Sequence, residues 1–426
     1  MLKNFLQESF EELNQTYNYC VLRNYEGLPE FAGNDVDILI EPQNLKQIEE
    51  VFKAKAKLNN LHFLKSVSRF GYKGLYFFDL NVSEVILIDL FSSLQKRWRK
   101  YIDSSLVLEN RMKFNGFYVI DPLHEIFSIA LKEILTYGYI RDKYKGRFQE
   151  IDIDFEKIRH LAIKILSDAE VQILIEYLID FQKDNSPDSI NLSLKGKESF
   201  LNVFQYSCNF VKGKIINLLG VNPVVCLIGP DGVGKSTMSN ALSNTVTGAN
   251  LFSKSTVYHH RYEILPALNS ILNINNENEN KVIDESKTIG KAHPVWKNLI
   301  YLTYYSLDFF LGWVIVIKAK LRNEFIIFDR YYYDFFIQNH YSSLPNWIYK
   351  FFYWFLPKPN VGIFLYANPY QVVERKKELT IEEHLIQNEK CFYVMKNVFT
   401  KPIFLNCNGG LSVSKKKIKE TITKLF

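Results

Sequence analysis

The stretch that most constrains this chain is eight residues long. Gly229-Pro230-Asp231-Gly232-Val233-Gly234-Lys235-Ser236 follows the unbroken apolar run Val224–Ile228 and leads straight into a helical pattern over residues 237–242. A Gly-x-x-x-x-Gly-Lys-Ser spacing between a strand and a helix is a turn built to hold phosphate. Glycines let successive backbone N–H groups point inward around an anion, and the following helix adds the positive end of its dipole. Lys235 then reaches terminal phosphates, while Ser236 offers a hydroxyl to Mg²⁺. Gly229, Gly232, Gly234, Lys235, Ser236 and Thr237 are therefore the expected nucleotide cradle. A turn of this kind needs a strand behind it and a helix ahead, so the surrounding region should be α/β with a parallel sheet.

Such a loop also needs a metal-binding carboxylate on a neighbouring strand, and Phe325-Ile326-Ile327-Phe328-Asp329 ends an apolar run in one. Arg330 follows at once, where a guanidinium can face a transferring or acceptor phosphate. The bland alternative makes Asp329 and Arg330 the solvated end of a buried strand. A third apolar run, Val361–Tyr366, precedes a charged helical segment with Arg375, Lys376 and Lys377. Basic residues there either face water or close over a bound nucleotide.

These residues together resemble thymidylate kinase and its relatives, especially the thymidylate-kinase-like proteins of bacterial surface-polysaccharide gene clusters. The resemblance rests on Gly229 to Ser236, the strand ending in Asp329-Arg330-Tyr331, and the later strand leading to Arg375; it covers roughly residues 220–426. It implies ATP and Mg²⁺ as cofactors. It gives Lys235 and Ser236 the ATP phosphates and metal, Asp329 a share of the metal, and Arg330 the acceptor. Asp231 would face the acceptor and Arg375 the lid or adenine side. Two departures stand out. Ile228 occupies the place where thymidylate kinases usually carry glutamate, and the segment Val257-Tyr258-His259-His260-Arg261-Tyr262 is closer to the polysaccharide-cluster relatives. There His260 and Arg261 either touch an anionic acceptor or serve structure.

A second acidic constellation lies near the N-terminus. In Gly33-Asn34-Asp35-Val36-Asp37-Ile38-Leu39-Ile40 the two aspartates alternate along a strand and so share a face. Asp89, inside Ile86-Leu87-Ile88-Asp89-Leu90-Phe91, is a charge in an apolar strand that needs a metal or hydrogen bonds, and Asp79 is a weaker candidate. Two carboxylates on one strand and a third from a neighbour can position Mg²⁺ for in-line attack on an α-phosphate. The pattern resembles the nucleotidyltransferase superfold shared with polymerase beta, over residues 18 to about 150. Where that superfold has a small Gly-Gly or Gly-Ser pair, this chain has Arg23-Asn24. That leaves nucleotidyl transfer, the binding of a different ligand and a catalytically idle domain all open. Arg23 either grips a phosphate or ends a strand in solvent, and the segment 123–137 with Arg141, Lys143 and Lys145 either walls a phosphate site or is a solvated helix end.

Composition narrows the remainder. Apolar residues at 47% and charged residues at 23% are ordinary globular usage, which excludes wholesale disorder. A net charge of +6 over this length does not argue for nucleic acid. Five cysteines without a Cys-x-x-Cys pair suggest a reducing cytoplasm and no structural zinc. The N-terminus reads as an amphipathic helix rather than a secretory signal. Residues 299–317 carry a single charge, Asp308, and are flanked by lysines. Because the phosphate loop and its partner strand fall on either side of them, a buried helix is expected rather than a membrane span, with surface attachment through this segment or residues 347–356 left open.

The expected layout is an α+β nucleotidyltransferase-like domain over 1–150, a helical connector over 151–215, and a P-loop kinase domain over 216–426, interrupted by a polar loop at 269–287. The leading function is an ATP- and Mg²⁺-dependent phosphotransferase acting on a nucleoside monophosphate or sugar-like acceptor. The alternatives are nucleotidyl transfer by the N-terminal aspartates, or ATP sensing without an acceptor.

Overall fold

The computed structural model describes residues 2–33, 35–79, 82, 84–183, 187–195, 200–259, 261–266, 268, 294–338, 344–375 and 379–426. The chain divides into two units, Met1–Gly213 and Lys214–Phe426.

In the first unit the strands are β1 (Tyr19–Val21), β2 (Val36–Ile40), β3 (Leu61–Arg69), β4 (Tyr72–Asp79), β5 (Glu84–Phe91), β6 (Leu94–Lys96), β7 (Arg99–Ile102), β8 (Met112–Phe114) and β9 (Phe117–Val119). Seven of them form one mixed sheet in the order β3-β4-β5-β2-β1-β9-β8, and β6 pairs with β7 in a separate ribbon. At the centre β2 and β5 run parallel, with Asp37 opposite Asp89. Helices α1 (Leu2–Thr16), α2 (Leu45–Leu58), α3 (Ser104–Glu109) and α4 (Pro122–Tyr137) belong to this unit. Local chemistry fixes α4 at both ends. The Asp121 side chain accepts from the backbone N–H groups of Leu123 and His124, Pro122 begins the helix, and Gly138 ends it at φ 83°.

The segment expected as a connector is part of this unit. Helices α5 (Lys145–Glu150), α6 (Phe155–Ile163) and α7 (Asp168–Gln182) bury Phe148, Ile158, Leu174, Leu178 and Phe181 in the same core as Ile38, Ile88 and Phe127. Because they share that core, the first unit extends to Gly213 rather than ending at residue 150. Helix α8 (Phe200–Ile216) runs through that boundary.

The second unit is built on a five-stranded sheet of β10 (Val224–Ile228), β11 (Lys254–His259), β12 (Glu324–Asp329), β13 (Val361–Tyr366) and β14 (Lys401–Asn406). Their order is β11-β12-β10-β13-β14, and every pairing is parallel. β10 is buried along its whole length, as a strand covered on both faces must be. The longer helices are α9 (Lys235–Gly248), α10 (Val295–Leu321), α11 (Asn346–Phe355), α12 (Pro369–Arg375), α13 (Ile381–Val398) and α14 (Gly410–Glu420). β10 leads to β11 past the position that β12 later fills, and the chain then crosses to β13 on the other side of β10. A sheet wound this way opens a crevice at the carboxyl end of its first strand.

Aromatic side chains pack the layer behind that edge. Tyr331, Tyr332 and Tyr333 are all buried just past β12, with Tyr331 donating to the Pro357 carbonyl at 2.7 Å and Ser306 donating to the Tyr332 hydroxyl at 3.0 Å. The expectation of a buried helix at 299–317 needs correction. α10 buries Leu302, Phe309 and Val316 on one face, but Leu307, Phe310, Leu311, Val314 and Ile317 are exposed on the other. Its length and apolarity alone would suffice to cross a membrane. Its C-terminal end, however, leads within three residues into β12, which pairs with β11 in the sheet. The polar loop expected at 269–287 lies outside the described residues.

Candidate functional site

Two clusters of chemistry-bearing side chains stand out, one in each unit.

In the second unit, the turn between β10 and α9 requires its glycines. Gly232 and Gly234 sit at φ 83° and 101°, a left-handed backbone that other residues rarely adopt. A Cβ on Gly229 would lie 2.5 Å from the Leu365 carbonyl oxygen and 2.9 Å from a Val233 methyl. Gly234 caps α9 without a side-chain oxygen, so the first-turn N–H groups face the cleft without a capping group. Lys235 is almost wholly buried, and its ammonium donates to the carbonyls of Gly229 at 2.7 Å and Pro230 at 3.0 Å, and to Asp231 Oδ1 at 3.2 Å.

The carboxylate at the end of β12 meets this turn because Asp329 is in register with Leu227 on β10 and His259 on β11. Ser236 Oγ donates to Asp329 Oδ2 at 2.5 Å, and His259 Nδ1 approaches the same oxygen at 3.1 Å. Asp329 Oδ1 is buried with no hydrogen-bond partner. A serine hydroxyl beside a buried carboxylate with one oxygen to spare is a hard, oxygen-rich donor set that fits Mg²⁺.

Arg330 adopts φ 77°, a costly backbone for a residue with a Cβ. Its guanidinium reaches Asp231 Oδ1 at 2.5 Å and Asp334 Oδ2 at 3.4 Å. Burial works against its charge, but Asp334, Asp231 and Asp329 outweigh that and raise its pKa. A cleft of about 560 Å³ opens on Gly232 to Met238, Arg330 and residues Cys407, Gly410, Leu411 and Ser414.

Five expected residues, Asp231, Lys235, Ser236, Asp329 and Arg330, thus converge on one spot, with Thr237 lining the same cleft. Arg375 ends α12, and its side chain lies outside the described residues, as does His260. Arg261 donates to the Leu265 carbonyl at 2.8 Å and lies over the Tyr305 ring. The strand-end histidine at Asp329 is His259, one position earlier than the residue singled out from sequence. Two residues of α13 were also missed. Gln387 accepts from the Asp231 backbone N–H at 3.2 Å, and His384 is fully buried with burial, then nearby Lys235, pushing its pKa down. Nothing in the linear pattern marks them, because α13 reaches the loop only through the fold.

We expect Gly229→Ala to destabilise the protein by about 1–3 kcal/mol, because the loop must move off the Leu365 carbonyl. Calorimetry would check this, and an unchanged melting temperature would contradict the close approach.

In the first unit, oxygens of Asp35, Asp37 and Asp89 lie within 4.8 Å of one another. Asp37 and Asp89 face each other across β2 and β5, and Asp35 immediately precedes β2. Burial, then the neighbouring Asp37 and Asp35 charges, push the Asp89 carboxyl up to about 7 against a hydrogen bond from Tyr72, whose hydroxyl donates at 2.7 Å. Asp35 is raised by burial and by Asp37. Carboxylates crowded this way are relieved by a divalent cation, and Asp37 Oδ1 is buried with no hydrogen-bond partner.

Arg23 forms an ion pair with Asp37 and donates to the Tyr144 hydroxyl at 3.3 Å, so it is not a solvated strand end. Asp79 is paired opposite Glu84 at the far end of β4, whereas Asp89 lies opposite Gly74, so it stands apart from the cluster. Arg141 is held by both Glu133 oxygens at 2.5 and 2.8 Å. The cation on the α4 side of the cluster is Lys132, which burial, then Arg23, bring down to about 8. A pocket of about 630 Å³ joins Asp37 and Asp89 to Arg23, Arg69, Arg97 and Lys132. Arg69, Arg97 and Lys132 come from separate elements and share no motif.

No family model matches the chain. A Lon protease of Clostridium acetobutylicum is 28% identical over 102 residues, which cover 22% of this chain and 13% of the protease. Among solved structures, thymidylate kinase from Ehrlichia chaffeensis is similar with a TM-score of 0.32 at 13% identity, over 48% of this chain and 97% of the kinase. Thymidylate kinase from Candida albicans gives 0.32 at 19% identity, over 48% and 92%. Deoxyadenosine kinase from M. mycoides, solved with bound dATP, gives 0.30 at 13% identity, over 46% and 98%.

Proposed function

We propose that the second unit is an ATP-dependent phosphotransferase that moves a γ-phosphate to a nucleoside monophosphate or sugar-like acceptor. The observation that carries this reading is the meeting of the glycine turn with the strand-end carboxylate through the 2.5 Å bond between Ser236 Oγ and Asp329 Oδ2. In this reading the acceptor oxygen forms the new bond to the γ-phosphorus as the bond to the β–γ bridging oxygen breaks, leaving ADP. The chain's part is to place the two partners and neutralise charge. Lys235 would exchange its loop carbonyls for phosphate oxygens. The first-turn N–H groups of α9 would hold the β-phosphate, and Arg330, poised on Asp231, would swing to the transferring group or the acceptor. Ser236 and Asp329 would hold Mg²⁺, which when bound supplies positive charge against the phosphates. His259, hydrogen-bonded to Asp329, would orient that carboxylate.

One experiment separates this from an ATP sensor. Purified full-length protein is given ATP, Mg²⁺ and a panel of nucleoside monophosphates and sugars. ATP consumption that depends on one added acceptor is expected; acceptor-independent hydrolysis, or binding without turnover, would replace the kinase reading by the sensor.

A second reading is favoured for the first unit by the Asp35, Asp37 and Asp89 cluster at a cation-rich pocket. In this reading it transfers a nucleotidyl group: an acceptor oxygen bonds to an α-phosphorus and pyrophosphate leaves. Arg69, Arg97 and Lys132 would bind the polyphosphate, and the carboxylates would hold Mg²⁺. Label from α-³²P nucleotides should appear on an acceptor and vanish in Asp35→Ala.

A further inference from the structure

We infer that the second unit docks on an anionic lipid surface through the outer faces of α10 and α11. The two faces are continuous, because Phe310 of α10 stacks on Phe355 of α11 with ring centroids 5.6 Å apart and 14° between planes. On α11 the exposed Trp347, Phe351 and Phe355 repeat every four residues, the spacing of one helix face. On α10 Trp296, Leu307 and Val314 fall on the face opposite the buried Leu302, Phe309 and Val316. Trp347 and Val314 are 68% and 66% exposed, far more than a core residue in an apolar stripe would be. An exposed patch this large and aromatic marks an interaction surface.

Charge selects the occupant. Residues 295–322 and 346–358 carry Lys297, Lys318, Lys320, Arg322, Lys350 and Lys358, and their one carboxylate, Asp308, is buried and accepts from the Leu265 backbone N–H at 2.7 Å. Both helices therefore offer apolar side chains fringed by cations, with no exposed acid among their described residues. That is the composition of a helix lying in a lipid headgroup layer, with tryptophan at the boundary and lysine stems reaching phosphates. A second copy would set the same cations against themselves without a carboxylate on these helices to neutralise them. At 27 residues α10 is long enough to cross a bilayer. Its direct run into β12 at the C-terminal end and its buried Leu302, Phe309 and Val316 keep it flat on the surface instead.

The test is co-sedimentation of the full-length chain with vesicles of phosphatidylcholine and phosphatidylserine in roughly a three-to-one ratio, against phosphatidylcholine alone. Binding to the anionic vesicles, with a blue shift in tryptophan emission and weakening at high salt, is expected. Val314→Asp combined with Trp347→Ser should lower binding by roughly tenfold or more, and Lys318→Glu with Lys350→Glu by about fivefold per charge removed. All four side chains are exposed, and an unchanged melting temperature would show each variant folded. No binding to anionic vesicles, binding indifferent to these variants, or a dimer in sedimentation equilibrium that Val314→Asp dissociates would each overturn the proposal.

Discussion

Lys235→Ala should reduce acceptor-dependent ATP turnover by roughly a thousandfold or more while the protein still unfolds cooperatively. The lysine is buried, yet it fills no apolar cavity. Its ammonium bonds to two carbonyls and a carboxylate of its own loop, and Lys235 itself lines the open cleft from which water can replace it. What is lost is positive charge where a triphosphate would lie, and Arg330, which rests on Asp231 and Asp334 and turns to the transferring group or the acceptor, does not stand in for it. ATP should also raise the melting temperature of the parent protein but not of the variant, since a ligand stabilises only the state that binds it. Turnover at the parent rate in folded Lys235→Ala would remove the phosphotransferase reading of the second unit.

The difference between what could and could not be read in the sequence follows from how each feature is encoded. β10, β12 and β13 are unbroken apolar runs because strands covered on both faces have no solvent side to mark, and the glycine turn announces itself because φ of 83° and 101° at Gly232 and Gly234, two positions apart, strongly favours glycine. Asp329 was legible for the same reason: an apolar run that stops at a carboxylate implies an edge facing something. The strand order was not legible. It depends on pairings such as Val224 with Ile326, more than a hundred residues apart, which no local pattern records. The outer face of α10 was misjudged because apolarity reports how much surface wants burial and not whether a partner is present. The helices of 155–182 read as a connector because apolar residues at helical spacing show that they have a buried face, without showing which core receives it. His259, Gln387 and Lys132 escaped for a related reason: each is an ordinary polar residue on its own element and becomes part of a site only through a neighbour brought in by the fold.

The first unit makes a separable prediction at Asp37. Millimolar Mg²⁺ should raise the melting temperature of the parent protein's first unit by about 5 °C, as expected when a ligand near saturation adds about 2 kcal/mol to a unit of this size. Asp37→Asn should abolish that rise and lower nucleotidyl transfer by roughly two to three orders of magnitude. Two effects compete in the variant without metal. Losing the carboxylate relieves repulsion from Asp35 and Asp89, whose oxygens lie within 4.8 Å, but it also strips the largely buried Arg23 of its ion-pair partner. Removing one partner of a buried pair costs about 3–5 kcal/mol, and the repulsion is already softened because burial raises the Asp89 carboxyl to about 7, so that near neutral pH it carries only part of its charge. Loss of the pair therefore wins, and Asp37→Asn should melt below the parent in chelator. The double variant Arg23→Met with Asp37→Asn should recover part of that loss, because it leaves neither charge uncompensated. Recovery in the double variant without return of the Mg²⁺ response would separate the structural role of the pair from the metal-binding role of the carboxylates. A Mg²⁺ response that survives Asp37→Asn would place the ion elsewhere and leave the aspartates as a structural cluster.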